Sequence, residues 1–141
     1  TIYSYGVRVS DTLTADARLK RMQEQLAEAV PAAHTAFLRQ LKLIHQAGDY
    51  LFVHAGIDPG KPLAEQTEED FLWIRDAFLQ SDDHLGRIVV HGHSISREPD
   101  VRCNRIGIDT GAYVSSHLTC LVLEGGTKRF LHSSAVDASH H

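Results

Sequence analysis

Two short, uninterrupted apolar runs constrain this chain more than any other feature: "YLFVHAG" at residues 50–56 and "RIVVHGHS" at residues 87–94. Both are rich in β-formers, and both end in histidine beside a small residue. A run that is apolar at consecutive rather than alternate positions is what buried strands of mixed sheets look like. Two such strands would deliver His54, His91 and His93 to loops on a rigid scaffold. There imidazole nitrogens can converge, and the adjacent small residues let the backbone come close to an ion or a phosphate. A histidine at a strand end can also simply cap the strand, so the residues between and around these runs carry the decision.

Helices are expected before the first strand. From Thr14, "TADARLKRMQEQLAEAV" is rich in strong helix formers, with Leu19, Met22, Leu26 and Val30 at helical spacing behind a threonine cap. Pro31 can open a second helix, "PAAHTAFLRQLKLIHQAG", with Phe37, Leu38, Leu41 and Ile44 on one face and Gly48 as its stop. The organisation expected is one domain over residues 1–141, with a helical segment at 1–48 and a sheet with its site loops at 49–133.

Between the two strands, "IDPGKPL" has the residues of a loop and "TEEDFLWIRDAFL" those of a helix capped by Thr67, with acids in its first turn. That helix would bring Trp73 and Arg75 near each other. After the polar turn "QSDDHLG" and the second strand, the remainder reads almost wholly as β. "LTCLVLEGG" and "TKRFLHS" are joined through Gly125 and Gly126, as a hairpin requires.

Composition bounds the function. A chain of 141 residues, 43% hydrophobic and 23% charged, is an ordinary globular domain. Its net charge of −4 argues against a general nucleic-acid surface. There is no apolar stretch long enough for a membrane span and no signal-like start, which makes a soluble cytoplasmic protein the expectation. Cys103 and Cys120 form no CxxC pair, so neither a disulfide framework nor a cysteine zinc cluster is expected. The unusual count is ten histidines. His140 and His141 end the chain and look like tag residues, while His34, His45, His84, His117 and His132 share no ligand spacing. His54, His91 and His93 remain. Arg75, in the helix between their strands, could grip phosphate oxygens with its bidentate fork, or could be an exposed arginine paired with Asp76 or a nearby glutamate.

The succession "YLFVHAGIDP", "FLWIRDAFL", "IVVHGHS" and "IGIDTGAY...LTCLVLE" resembles the C-terminal half of bacterial serine/threonine phosphoprotein phosphatases, within the calcineurin-like metallophosphoesterases. The resemblance runs from about Tyr50 to Glu124, and "SYG" and the helical pair also resemble the segment that precedes it in those enzymes. It implies an α/β fold, a helical pair followed by a mixed sheet, as part of a four-layer αββα sandwich. It implies that His54 of "VHAG" and His93 of "HGHS" are ligands of one metal of a dinuclear centre, and that Arg75 binds the substrate phosphate. His91, two residues before His93 and on the same side if the strand continues, would be supporting. Asp109 of "DTGAY" would have a structural or orienting role, with Tyr113 close by. Two divalent ions, of the manganese, iron or zinc type, would hold a bridging hydroxide that attacks phosphorus in line.

The family's earlier motifs, GDxHG, GDxxDRG and GNHE, are not in this sequence, and Gly48-Asp49 of "AGDYLF" leads straight into the strand that bears His54. With two histidines alone the chain would hold at most one partial metal site and would be inactive by itself. An uncovered inner sheet face would favour self-association or pairing with the missing half. The substrate expected for the whole enzyme is a phosphoprotein. The alternatives are a nucleotide, as for a diadenosine tetraphosphate hydrolase, and a noncatalytic metal-binding or interaction module on the same half-fold.

Overall fold

In the computed structural model the chain is described at residues 2–10, 12 and 14–133, so His140 and His141 lie outside the described residues. It divides into two compact units, Thr1–Leu41 and Lys42–His141.

The first unit is helical. A turn of 3-10 helix at Tyr3–Tyr5 ends at Gly6, and helices α1 (Ala15–Ala29) and α2 (Ala32–Gln40) follow. Thr14 caps α1 by accepting the Ala17 N–H, as its position before the periodic run predicts. No residue of either helix is buried. The N-terminal segment is tied to α2 by the Tyr5 hydroxyl on His34 Nδ1 at 2.9 Å and to α1 by the Arg8 N–H, which donates to Gln25 Oε1 at 3.2 Å.

The second helix is shorter than the sequence suggests. Leu41 is extended, and residues expected to continue the helix instead form strand β1 (Ile44–Ala47), which pairs antiparallel with β2 (Tyr50–Val53) from Ile44 opposite Val53 to Ala47 opposite Tyr50. Gly48 is therefore the first residue of a two-residue turn, at φ 54°, rather than a helix stop. The helical segment ends at Gln40, not residue 48, because the outer edge of β2 offers these residues a full set of backbone partners, and that outweighs a modest helix preference.

The five-stranded sheet has the order β1-β2-β3-β5-β4, with β3 at Ile88–His91, β4 at Asp100–Val101 and β5 at Arg105–Gly107. β2, β3 and β5 run parallel, and the two edge strands are antiparallel. The fold is thus the α/β arrangement with a mixed sheet that the apolar runs predict. Because the runs are apolar at successive positions, both sheet faces carry core residues. One face presents Leu51 and Val89 to Ile57, Phe71 and Phe78, and the other carries the register row Phe52, Val90 and Ile106. On that second face Val90 and Ile106 are buried and Phe52 is half-buried.

The segment that crosses from β2 to β3 supplies the first of these cores, and it is broken where the sequence predicts one helix. Helix α3 (Glu68–Trp73) ends at Ile74, which is extended, and α4 (Asp76–Leu79) restarts after Arg75. The Phe71 carbonyl, which an unbroken helix would offer to the Arg75 N–H, instead accepts the Ala55 N–H at 2.8 Å. Thr67 caps α3 as expected, in a reciprocal capping box with Asp70, and Lys61 Nζ adds two bonds to the same carboxylate at 2.9 and 3.0 Å.

Behind α4, the buried Asn104 amide donates to the Ser81 and Asp83 carbonyls, and the Arg105 guanidinium donates to Leu79 and Ser81. These bonds pin the polar turn 80–86 to the sheet. The last pair of strands, β6 (Thr119–Glu124) and β7 (Thr127–His132), forms the expected hairpin across Gly125 and Gly126. The stretch before it is not all β, because a short helix α5 (Ala112–Ser115) forms between left-handed Gly111 and Ser116. Both cysteines are free and exposed. Among the described residues no helix is long and apolar enough to cross a membrane.

Gly56 lies against Phe78, where an added Cβ would fall 2.4 Å from the ring. Gly56→Ala is expected to lower stability by about 1–3 kcal/mol in urea unfolding, and an unchanged midpoint would show that the ring moves freely. The Thr67 backbone first and Lys61 next hold the Asp70 carboxyl at about 2, below its ordinary 3.8. Since the folded value is the depressed one, its stabilisation is present above the ordinary value and is lost as pH falls through the folded one. Asp70→Asn should therefore flatten the loss of stability in that acid window, measured by unfolding at stepped pH, and an unchanged slope would contradict the assignment.

Candidate metal and phosphate site

β2 and β3 are parallel neighbours, so their C-terminal ends open at the same edge of the sheet. The pairing runs one bond beyond the strands, with Gly92 N–H donating to the His54 carbonyl at 2.8 Å. This brings the imidazoles of His54 and His93 together, Nε2 to Nδ1 at 3.2 Å, with ring planes inclined at 60°. One of the two nitrogens must donate and the other accept while no ion lies between them.

His93 is not on a strand. It sits at φ 62°, and the Ser94 N–H returns to the Gly92 carbonyl at 2.6 Å, closing a three-residue turn of the strained γ type around it. A positive φ costs a non-glycine residue on the order of 1 kcal/mol, and strain of this kind concentrates where a side chain must be aimed. The turn corrects the expectation that His91 and His93 share one side of a continuing strand. His91 ends β3 with its ring edge-on to Phe78 at 5.0 Å, 3% exposed and turned into the helix-covered core. Its Nδ1 lies 3.1 Å from the Gly92 carbonyl, and burial, with the Arg105 charge, pushes its pKa down. His91 thus packs under the turn that carries His93.

Arg75 sits at the break between α3 and α4, exposed, and among the described residues its guanidinium makes no hydrogen bond or ion pair, with Asp76 or any glutamate. Its charge reaches His93: burial, then Arg75 and His54, lower the His93 pKa against the opposing pull of Asp109. The shift favours the neutral imidazole, which has a lone pair to offer. Asp109 is half-buried. Its Oδ1 accepts the Gly111 N–H at 2.9 Å and its carbonyl the Ser96 N–H at 3.0 Å, so it ties down the loop beyond β5 beside Gly92. Tyr113, on α5, is 84% exposed. A cavity of about 390 Å³ runs from His54, Gly92 and Asp109 down the sheet face past Phe52, Val90 and Ile108.

Two imidazole nitrogens bound to one ion at about 2.0–2.1 Å stand roughly 3.0–3.4 Å apart. The His54 Nε2–His93 Nδ1 separation of 3.2 Å lies within that range. The two imidazoles are thus spaced as a pair of ligands on one ion would be. Among the described residues no group of three or more histidine, cysteine, aspartate or glutamate side chains is placed to hold a metal, so these residues do not by themselves fit a dinuclear centre. Sequence reasoning named both imidazoles and Arg75. It did not assign Trp73, whose ring meets the His93 ring at 5.7 Å and 89°, although an aromatic two residues before Arg75 was a usable signal.

The fold is similar to that of a solved structure, the "Crystal structure of a putative diadenosine tetraphosphatase", with a TM-score of 0.61 and 22% identity. The match covers 77% of this chain and 59% of that one, so the chain spans well under two thirds of that structure's length. No protein-family model and no curated protein matches the sequence.

Calorimetric titration with zinc separates the three histidines. His54→Ala and His93→Ala should each weaken binding at least about tenfold, while His91→Gln should lower the unfolding midpoint and leave affinity within about twofold. Equal weakening by all three would contradict the division of roles.

Proposed function

We propose that this chain is part of a metal-dependent phosphoesterase, to which it contributes two imidazole ligands and the cation that holds the substrate phosphate. The observation that carries the reading is the convergence of His54 and His93 at 3.2 Å beside an arginine left without a partner among the described residues. Imidazoles held this close suit a divalent cation. An exposed guanidinium next to them suits a phosphoryl oxygen, which it can take through two parallel N–H bonds. The order of the motifs from Tyr50 to Glu124 and the fold of the solved neighbour support the same reading.

The geometry supports the following division of labour. Arg75 binds and orients the phosphate, and its fixed charge stabilises negative charge that grows on the phosphoryl oxygens. His54 and His93 hold an ion, which when bound supplies Lewis acidity. Asp109 keeps the loop beyond β5 in place through the Gly111 and Ser96 amides. The remaining ligands and the general acid would come from the motifs GDxHG, GDxxDRG and GNHE on a segment outside this sequence.

Two substrate classes share this chemistry. A dinucleoside polyphosphate is favoured by the description of the solved neighbour as a diadenosine tetraphosphatase. A serine or threonine phosphoprotein is favoured by the order of the motifs.

Assayed with manganese, the chain by itself should leave p-nitrophenyl phosphate intact. Joined to a segment bearing the three missing motifs it should hydrolyse that ester, and Arg75→Ala in the joined protein should lower kcat/KM by about 10²–10³. Diadenosine tetraphosphate and a phosphoserine peptide assayed side by side assign the substrate. A joined, folded protein without metal-dependent hydrolysis, or one indifferent to Arg75, would overturn the reading.

A further inference from the structure

The indole of Trp73 is 66% exposed, although it belongs to a helix whose neighbouring Phe71 is buried in the core. Leaving so large an apolar surface in water is unfavourable, and the core on this side is already filled by Phe71, Phe78 and Leu51. The ring is nevertheless held in place, edge to face with His93 at 5.7 Å. It therefore stands at the rim of the site, as the last residue of α3, two positions before the break that exposes Arg75. The rim thus gathers around His93 a flat aromatic surface and the charge of a guanidinium that has no partner among the described residues. A ligand that matches both has a planar, uncharged face joined through a spacer to a chain of phosphates.

We infer that Trp73 is a stacking platform for a nucleobase, so that the site takes a nucleoside polyphosphate with its base on the indole and a phosphate on Arg75. This inference rests on the phosphoesterase reading for the role of Arg75 and deepens it by naming what lies beyond the phosphate. Stacking on an indole is tolerant of base identity because every base has a π-face, so adenine and guanine nucleotides bind alike and discrimination is against substrates without a base. The binding energy falls on a part of the substrate remote from phosphorus.

Trp73 is the one tryptophan of the chain, which makes the fluorescence of the unmodified protein a direct report on this ring. With manganese present, ATP and diadenosine tetraphosphate should quench that fluorescence, while tripolyphosphate should compete with them for the site and quench little. By calorimetry, Trp73→Ala should weaken ATP binding by roughly 5- to 150-fold and leave tripolyphosphate affinity within about twofold. Trp73→Phe should restore most of the loss. Arg75→Ala should weaken both ligands.

The outcomes separate the two ideas. If Arg75→Ala weakens both ligands and Trp73→Ala treats them alike, the phosphate grip stands and the platform is wrong. If neither ATP nor tripolyphosphate binds, or Arg75→Ala has no effect, the phosphoesterase reading falls and the platform with it. Quenching by a phosphotyrosine peptide as strong as that by ATP would overturn the nucleotide assignment.

Discussion

One backbone hydrogen bond brings the two imidazoles of the site together: Gly92 N–H to the His54 carbonyl, at 2.8 Å. It extends the parallel register of β2 and β3 past the last paired residues, so two histidines 39 positions apart in sequence meet at 3.2 Å. Parallel pairing is the right arrangement for this. Both strands exit on the same edge of the sheet, whereas an antiparallel pair would send one histidine to each end. The sheet can hold that edge rigid because Leu51 and Val89, side by side in the register, are both buried against Phe78.

The side chains of the candidate site are placed by departures from regular structure, and each departure has a partner that compensates it. The helix opens at Ile74 because the Phe71 carbonyl is taken by Ala55, and the opening leaves Arg75 at a junction rather than on a helix face. The chain turns sharply at His93, at a cost on the order of 1 kcal/mol, because Ser94 folds back onto Gly92. Beneath that turn His91 packs on Phe78, and Arg105 donates to the carbonyls that end α4. A strained surface turn therefore rests on a buried, hydrogen-bonded support.

What the sequence made legible was local. The strands at 50–56 and 87–94 announced themselves by uninterrupted apolar residues, the Thr67 cap by its acids, and the final hairpin by Gly125 and Gly126. What it concealed depended on distant partners. Residues 44–47 read as helix because nothing in them reveals the free edge of β2 that recruits them. The interruption at Ile74 is invisible without Ala55, and the separation of His91 from His93 requires the turn at Ser94. The two imidazoles and Arg75 were identified from motif order, yet their closeness follows only from register. Trp73 was noted without a role because exposure, the property that distinguishes it from Phe71, is not written in the residue type.

On the proposed reading the chain is one half of a phosphate-handling site, bringing together two imidazoles and a guanidinium, with no carboxylate cluster of its own among the described residues. The most direct test of this account is X-ray absorption spectroscopy of the zinc-loaded protein. Two imidazole nitrogens on one ion at about 2.0–2.1 Å, falling to one in His93→Ala, is the predicted result. A single imidazole, or two that survive the loss of His93, would contradict the convergence on which the whole account depends.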